Sequence, residues 1–150
     1  MQLTARDLEL EDMKEASELV WKSFYYHNSR TCTMAAIESF RESVSVAALQ
    51  LGMLGGMRFV GAFSDGLLVG VGALKPEGEL SLLFVRHDRI RQGVGVFLIA
   101  ELKKGCAAGR ITVNASDFAV DFYKKNGFAA AGGRSVRGGI YYTPMVLDLA

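Results

Sequence analysis

Leu80-Ser81-Leu82-Leu83-Phe84-Val85-Arg86-His87-Asp88-Arg89-Ile90-Arg91-Gln92-Gly93-Val94-Gly95-Val96 is the stretch whose reading decides the fold. From Glu79 to Val85 the chain is apolar almost throughout, as a central strand covered on both faces is. A polar loop carrying Arg86, Arg89 and Arg91 follows, and a helix then opens on Gly93-Val94-Gly95. A helix N-terminus leaves backbone N–H groups unpaired and carries the positive end of the helix dipole, so a strand, loop and helix in this order make an anion site. Glycine lets a phosphate approach the backbone, and arginines add charge suited to a polyphosphate. The loop matches neither common phosphate fingerprint. The dinucleotide pattern needs a third glycine where Leu98 stands, and no Gly-Lys-Ser/Thr follows. Taken alone, it is equally a tight turn flanked by solvated arginines.

Upstream, Arg58 to Phe63 and Leu67 to Leu74 read as strands joined by Ser64-Asp65-Gly66, and Lys75-Pro76-Glu77-Gly78 turns the chain into the Glu79 strand. Further upstream a strand is predicted over Leu3 to Leu8. A helix follows, opened by Asp7 or by Glu11-Asp12 and running to about Tyr26, and a second helix spans Met34 to Met53. Downstream, a helix over Val94 to Ala107 leads to a short strand, Arg110 to Asn114. A further helix is capped by Ser116 and closed by Gly127. Phe128 to Gly132 and Ile140 to Leu149 form a last hairpin across Arg134–Gly139. The order β-α-α-β-β-β-α-β-α-β-β describes an α/β fold, a mixed sheet with helices on both faces, in a single domain over residues 1–150.

The second informative segment is Val113-Asn114-Ala115-Ser116-Asp117-Phe118-Ala119-Val120-Asp121-Phe122-Tyr123-Lys124-Lys125-Asn126-Gly127-Phe128. A strand end followed by a helix with Ala-x-x-Phe-Tyr and closed by Gly-Phe resembles the second signature of the GNAT superfamily of acetyl-CoA-dependent N-acetyltransferases. The glycine loop before it resembles the first signature, Gln/Arg-x-x-Gly-x-Gly/Ala, and the two stand in the family's order with one helix and one strand between them. The resemblance covers Glu79 to Phe128 well and extends through Thr143-Pro144-Met145. Over roughly the first seventy residues it is only an order of elements. One departure is clear: Ile90 occupies the opening position of the first signature, with the basic residue next door at Arg91.

The resemblance implies a splay between the two central parallel strands, into which the pantetheine arm of coenzyme A inserts. It places the arm along Leu83, Phe84 and Val85 and the pyrophosphate on Arg91, Gln92, Gly93, Val94, Gly95 and Val96. It also implies that the Leu83 N–H faces the thioester oxygen. Tyr123 matches the family's general acid toward the sulfur, with a packing tyrosine as the plain alternative. Glu79 stands where some members keep a general base, though a solvated strand-entry glutamate reads as well. Asn114 and Ser116 flank the splay as candidate cofactor contacts, and helix capping is the plainer role of Ser116. His27 and His87 lack a carboxylate or cysteine partner at ligand spacing and read as surface histidines. Trp21, Phe24, Tyr25 and Tyr26 read as core aromatics near the acceptor cleft, and Arg137 and Tyr141-Tyr142 as candidates to shape it.

Composition narrows the classes. Half of the 150 residues are apolar and 22% charged, which suits a packed domain and excludes disorder. A net charge of +1 leaves no global footprint for nucleic acid or an anionic membrane, and disfavours a polycationic acceptor. Cys32 and Cys106 stand far apart without a Cys/His cluster, so neither a disulfide framework nor a metal site is expected. The N-terminus lacks a signal-peptide pattern, and Val44 to Met57 is too short and too rich in glycine to cross a bilayer, so a cytoplasmic location is expected. The expected co-substrate is acetyl-CoA, with no metal, and the acceptor a small-molecule or peptide amine. A homodimer stays open. The rival from another class is a catalytically silent acyl-CoA-binding module.

Overall fold

The computed structural model describes residues 2–149. Leu3–Asp7 (β1) is followed by a 3-10 turn over Leu10–Asp12 and by three helices, Met13–Asn28 (α1), Met34–Ser43 (α2) and Val46–Leu54 (α3). Arg58–Ser64 (β2), Leu67–Leu74 (β3) and Glu79–Val85 (β4) form a meander. Val94–Lys104 (α4), Arg110–Ser116 (β5), Val120–Lys125 (α5), Ala129–Ala130 (β6), Ser135–Arg137 (β7) and Ile140–Asp148 (β8) complete the order. These strands make one mixed sheet in the order β1-β2-β3-β4-β5-β8-β6, with β7 also on β8, and among the described residues only β4 and β5 run parallel.

Two apolar layers sandwich the sheet. One face buries Val94, Leu98 and Leu102 of α4 with Tyr123 and Phe128, and the other buries Met13, Ala16 and Val20 of α1 with Leu49 of α3. Glycines in β3 set the depth of the first layer. A Cβ on Gly70 would lie 2.7 Å from Val94 Cγ1, and one on Gly72 would lie 2.8 Å from Leu102 Cδ1. The helix therefore lies directly on bare backbone, which holds its N-terminus close to the end of β4.

The structure corrects several element boundaries. The helix predicted over Met34 to Met53 is two helices. Val44 turns inward between them and is almost fully buried, its carbonyl accepting the Ser17 hydroxyl at 2.6 Å, while Ser45 caps α3 by accepting from the Ala48 N–H at 3.1 Å. The N-cap and the satisfied carbonyl offset part of what the break costs in helix hydrogen bonds. Ser116 is not a helix cap. It ends β5, paired with Tyr142 of β8, and α5 starts four residues later behind Ala119, whose N–H bonds the Ser116 carbonyl at 2.8 Å. The long β8 strand holds the ladder through Ser116 and delays the helix. The loop predicted over Arg134–Gly139 contains β7, which folds onto β8 through Gly138-Gly139, both at positive φ as a tight two-residue hairpin requires. Gly127 closes α5 at φ 91°, in the left-handed conformation expected of it.

Candidate active site

The site begins as a defect in the sheet. β4 and β5 share only two register partners, Glu79↔Thr112 and Leu80↔Val113, although β4 continues to Val85 and β5 to Ser116. Beyond Leu80 the strands diverge. The register with β3 shifts at the same point, Leu80 pairing with Leu74 and Leu82 with Ala73, so that Ser81 is an extra residue in the strand. A bulge adds local twist and resets the alternation of side chains. Accordingly Leu80 packs on the α4 face together with Leu83 and Val85, whereas Leu82 and Phe84 pack on the α1 face. β5 keeps its other edge on β8 through seven partners, Arg110↔Asp148 to Ser116↔Tyr142, and so cannot follow β4.

Backbone polarity in the splay follows from one bond. The Arg86 N–H donates to the Val69 carbonyl at 2.8 Å, on the β3 side. Polar groups alternate sides along a strand, so Phe84 and Leu82 also face β3, while the N–H and C=O of Leu83 and Val85 face the gap left by β5.

A cavity of about 630 Å³ occupies that gap. Leu80, Ser81, Leu83, Phe84 and Val85 form one wall, and Val113, Asn114 and Ser116 the other. At its mouth lie Arg89, Ile90, Arg91, the first turn of α4 from Gly93 to Val96, and Lys125. Arg91 and Gly93 both adopt left-handed conformations, at φ 61° and 84°. They curl the loop so that the unpaired amides of α4 present at the mouth. The two glycines have different reasons to be there. A Cβ on Gly93 would meet open space, whereas one on Gly95 would lie 2.8 Å from Phe122 Cζ. Gly93 answers to the turn and to whatever approaches the backbone. Gly95 answers to the packing of α4 on α5.

Tyr123 reaches the cavity from α5. It is only 4% exposed, flanked edge-on by Phe122 at 5.3 Å and Phe128 at 5.1 Å, and burial pushes its phenol well above the ordinary tyrosine value. Asn114, Ser116, Phe84 and Arg91 also line the cavity, while Gln92 stays in the loop but off the cavity wall. Glu79 lies at the closed end of the splay, outside the lining, with Lys75 Nζ 3.3 Å from its carboxylate. Arg86 is likewise outside, held by Asp88 through two bonds of 3.0 and 2.9 Å.

His27 is the main surprise. The sequence predicts a surface histidine, yet His27 lines the cavity from the last turn of α1, stacked on Phe118 with ring centroids 3.9 Å apart. Burial, and secondarily the nearby His87, hold its pKa below the ordinary histidine value. Among the described residues two buried side-chain polar atoms have no hydrogen-bond partner, His27 Nε2 and Ser81 Oγ, and both residues line this cavity. An unpartnered buried polar atom costs about 1–3 kcal/mol, which a polar ligand would offset. The packing of α1 on β3 and β4 and the bulge at Ser81 put these atoms there, and neither leaves a sequence pattern. The aromatic group at the end of α1 divides: Phe24 is core and cavity wall, while Tyr25 and Tyr26 are exposed. Tyr141 and Tyr142 line the cavity from β8, and Arg137 covers the Tyr142 ring at 5.6 Å.

The arrangement fits an elongated acyl carrier ending in phosphates. Strand-like backbone donors line the gap, an orphaned hydroxyl sits in its wall, and a helix N-terminus with basic residues guards the mouth. Among the described residues no three His, Cys, Asp or Glu side chains converge as a metal site would require, and no helix is long and apolar enough to cross a membrane.

A mixed sheet opened between its two parallel strands, with a glycine-led helix at the mouth, is the frame of an acyl-transferring class of enzymes. The chain belongs to the acetyltransferase (GNAT) family, whose domain model matches residues 28–149. Among solved structures it is similar to the GCN5-related N-acetyltransferase "Aminotransferase, Class-II" from Rhodopseudomonas palustris, with 25% identity, TM-score 0.84, and 99% of this chain and 97% of that one covered. The PaiA N-acetyltransferase of Thermoplasma acidophilum, solved with coenzyme A, is 24% identical with TM-score 0.80 over 99% of both chains. YncA of Salmonella typhimurium, solved with acetyl-CoA, is 14% identical with TM-score 0.72 over 99% of this chain and 94% of that one. No curated protein matches the sequence.

Proposed function

We propose that the protein moves an acetyl group from acetyl-CoA to an amine by direct attack inside the splay, with Tyr123 donating the proton to the departing thiolate. The observation that carries this reading is the cavity itself, where a buried phenol and two free strand amides share a wall system with a phosphate-ready helix terminus. When bound, acetyl-CoA supplies an activated acyl group as a thioester. The chain supplies position and charge. The amides of Gly93 to Val96, with Arg91, hold the pyrophosphate, and Leu83 and Val85 hold the arm as an added strand would be held. The Leu83 N–H is placed to stabilise negative charge growing on the acyl oxygen, and holding both reactants in one cavity supplies proximity. Ser81 Oγ can bond an amide of the arm.

Burial keeps Tyr123 protonated at any working pH, so it is always available as a donor. The same dry surroundings disfavour a thiolate, which raises the sulfur's demand for that proton. Glu79, outside the cavity lining and paired with Lys75, has no part in the scheme.

Acetyl-CoA at about 100 times its dissociation constant should add about 2.7 kcal/mol of stability. For a domain of this size that raises Tm by about 5–10 °C. Thiol release should then appear with an amine, and Tyr123→Phe should lower kcat by about 10²-fold or more without weakening acetyl-CoA binding. Binding without turnover across a broad amine panel would favour the silent module, in which Ile90 marks a relaxed phosphate loop. No thermal shift would refute both.

A further inference from the structure

We infer that the acceptor is a small aromatic monoamine carrying no second positive charge, and that His27 Nε2 takes its proton. The inference rests on the acetyl-transfer reading and names what the other half of the cavity selects.

The shape comes from aromatic rings. Phe24, Phe40, Phe84, Phe118, Tyr141 and Tyr142 line the cavity on the α1, α2 and β8 side. Phe24 and Phe40 stack with centroids 3.8 Å apart, and Phe84 lies 5.9 Å from Phe40. Such walls favour a flat apolar body, which gains from burial and from ring-to-ring contact. The same 630 Å³ must also hold the pantetheine arm, which leaves room for one ring system rather than an oligosaccharide or a folded peptide.

The charge distribution selects against polycations. Among the described residues no Asp or Glu lines the cavity, whereas Arg89, Arg91 and Lys125 do. Three carboxylates in the flanking segments are already engaged. Asp117 is gripped by Arg134 with bonds of 3.0 and 2.7 Å, Asp88 by Arg86, and Glu79 by Lys75. Arg134, paired in this way with Asp117, lies 3.8 Å over the Tyr141 ring. A second ammonium would enter a low-dielectric space whose lining offers no carboxylate as counter-charge, which is strongly unfavourable.

The proton needs a destination, and His27 provides one. Its Nε2 is buried, lacks a partner, and sits on a residue that lines the cavity. Phe118 stacks on its ring and Tyr26 meets it edge-on at 5.0 Å, which fix its orientation. His87 from the β4–α4 loop is the charged group that acts on it and Tyr26 touches its ring, while Arg89, Arg91, Lys125 and the phenols of Tyr123, Tyr141 and Tyr142 line the same cavity. Burial, and secondarily His87, keep the imidazole neutral at neutral pH and ready to accept. As the amine nitrogen bonds the acyl carbon and the carbon–sulfur bond breaks, the electron pair leaves on sulfur, the N–H proton passes to His27 Nε2, and sulfur takes the proton of Tyr123. Exchange with solvent restores both residues, and the net change is one amide and one thiol.

The test uses the full chain, saturating acetyl-CoA, and thiol release with 2-phenylethylamine, spermidine, kanamycin and a lysine-containing peptide. The aromatic amine should exceed spermidine in kcat/KM by roughly 100-fold, as expected for a buried charge lacking its partner. His27→Gln should lower kcat by about 10²-fold, remove the acid limb of the kcat profile, and leave acetyl-CoA affinity unchanged, whereas a merely structural histidine would leave the profile in place. Preference for spermidine or kanamycin with turnover intact would overturn the inference while leaving acetyl transfer standing. No turnover with any amine, while acetyl-CoA still raises Tm, would overturn the transfer reading and this inference together. Should His27→Gln fail to fold, the wild-type profile decides: a kcat independent of pH from about 8 down to the acid limit of the folded protein rules out His27 as the proton acceptor.

Discussion

Gly95→Ala tests whether the helix that holds the phosphates is positioned by its contact with α5. The added Cβ would lie 2.8 Å from Phe122 Cζ and 3.0 Å from Cε1. Carbon atoms prefer separations of about 3.5 Å or more, so the ring must retreat by about 0.7 Å. Phe122 is half-buried and meets Tyr123 edge-on at 5.3 Å, so its retreat presses on the proposed proton donor. Overpacking of this kind costs about 1–3 kcal/mol, and the alanine returns up to about 1 kcal/mol through better helix propensity. The net loss should be about 0–2 kcal/mol. Its origin is then isolated by a double-mutant cycle, because Phe122→Leu removes the atoms that collide. The pair should couple by about 1–3 kcal/mol, the whole overpacking cost, with Gly95→Ala stabilising in the Phe122→Leu background, where only its propensity gain remains. Urea unfolding of the four proteins, compared by midpoint at constant slope, measures the coupling. Additive effects within about 0.3 kcal/mol would refute the reasoning, since they would show that Gly95 is not fitted to Phe122.

Gly93→Ala should behave differently. With φ at 84° and open space around the missing Cβ, it should lose about 1–2 kcal/mol from backbone strain with no coupling to Phe122, seen in the same urea experiment. Its coenzyme A affinity should fall by at least about tenfold in a calorimetric titration, equivalent to about 1.4 kcal/mol at the phosphate mouth. Glu79→Gln removes a half-exposed ion pair with Lys75, so stability should change by less than about 1 kcal/mol and kcat by less than about twofold. A hundredfold drop in kcat would instead make Glu79 the base. His27 predicts a pH dependence of stability. Because its pKa is depressed in the fold, the unfolded chain takes up a proton that the folded chain resists. Stability is therefore full above about pH 6.5 and declines as pH falls from there to the folded value. The carboxylates of Asp12, Asp88 and Asp117, held low chiefly by arginine hydrogen bonds, act only below about pH 4. The urea midpoint of wild type should fall between about pH 7 and pH 5.5, and that of His27→Gln should not.

Glu79 shows where the sequence stops being a guide. Its place at the start of the central strand is legible, but whether it reaches the cavity depends on where β4 and β5 diverge. They separate just past Leu80, which leaves Glu79 at the closed end. Ser116 departs from its local reading for a similar reason. Its cap propensity is local, while Tyr142, the β8 partner that keeps it in the strand, lies far along the chain. His27 carries no pattern, because a lone histidine near a helix end says nothing about what will stack on it.

What the sequence determines by itself is most of the order of elements, short of the break at Val44 and the β7 strand, and the anion-ready loop, since apolar runs, glycines and caps act over a few residues and leave local marks. Gly93 and Gly127 are readable as backbone requirements, and Phe122-Tyr123 as a piece of a signature. Only the tertiary structure decides the chemistry of the acceptor half. That half joins the end of α1, the bulge at Ser81, the β5–α5 loop and β8. Its lack of carboxylates is a property of how these distant segments converge, which no window along the chain contains.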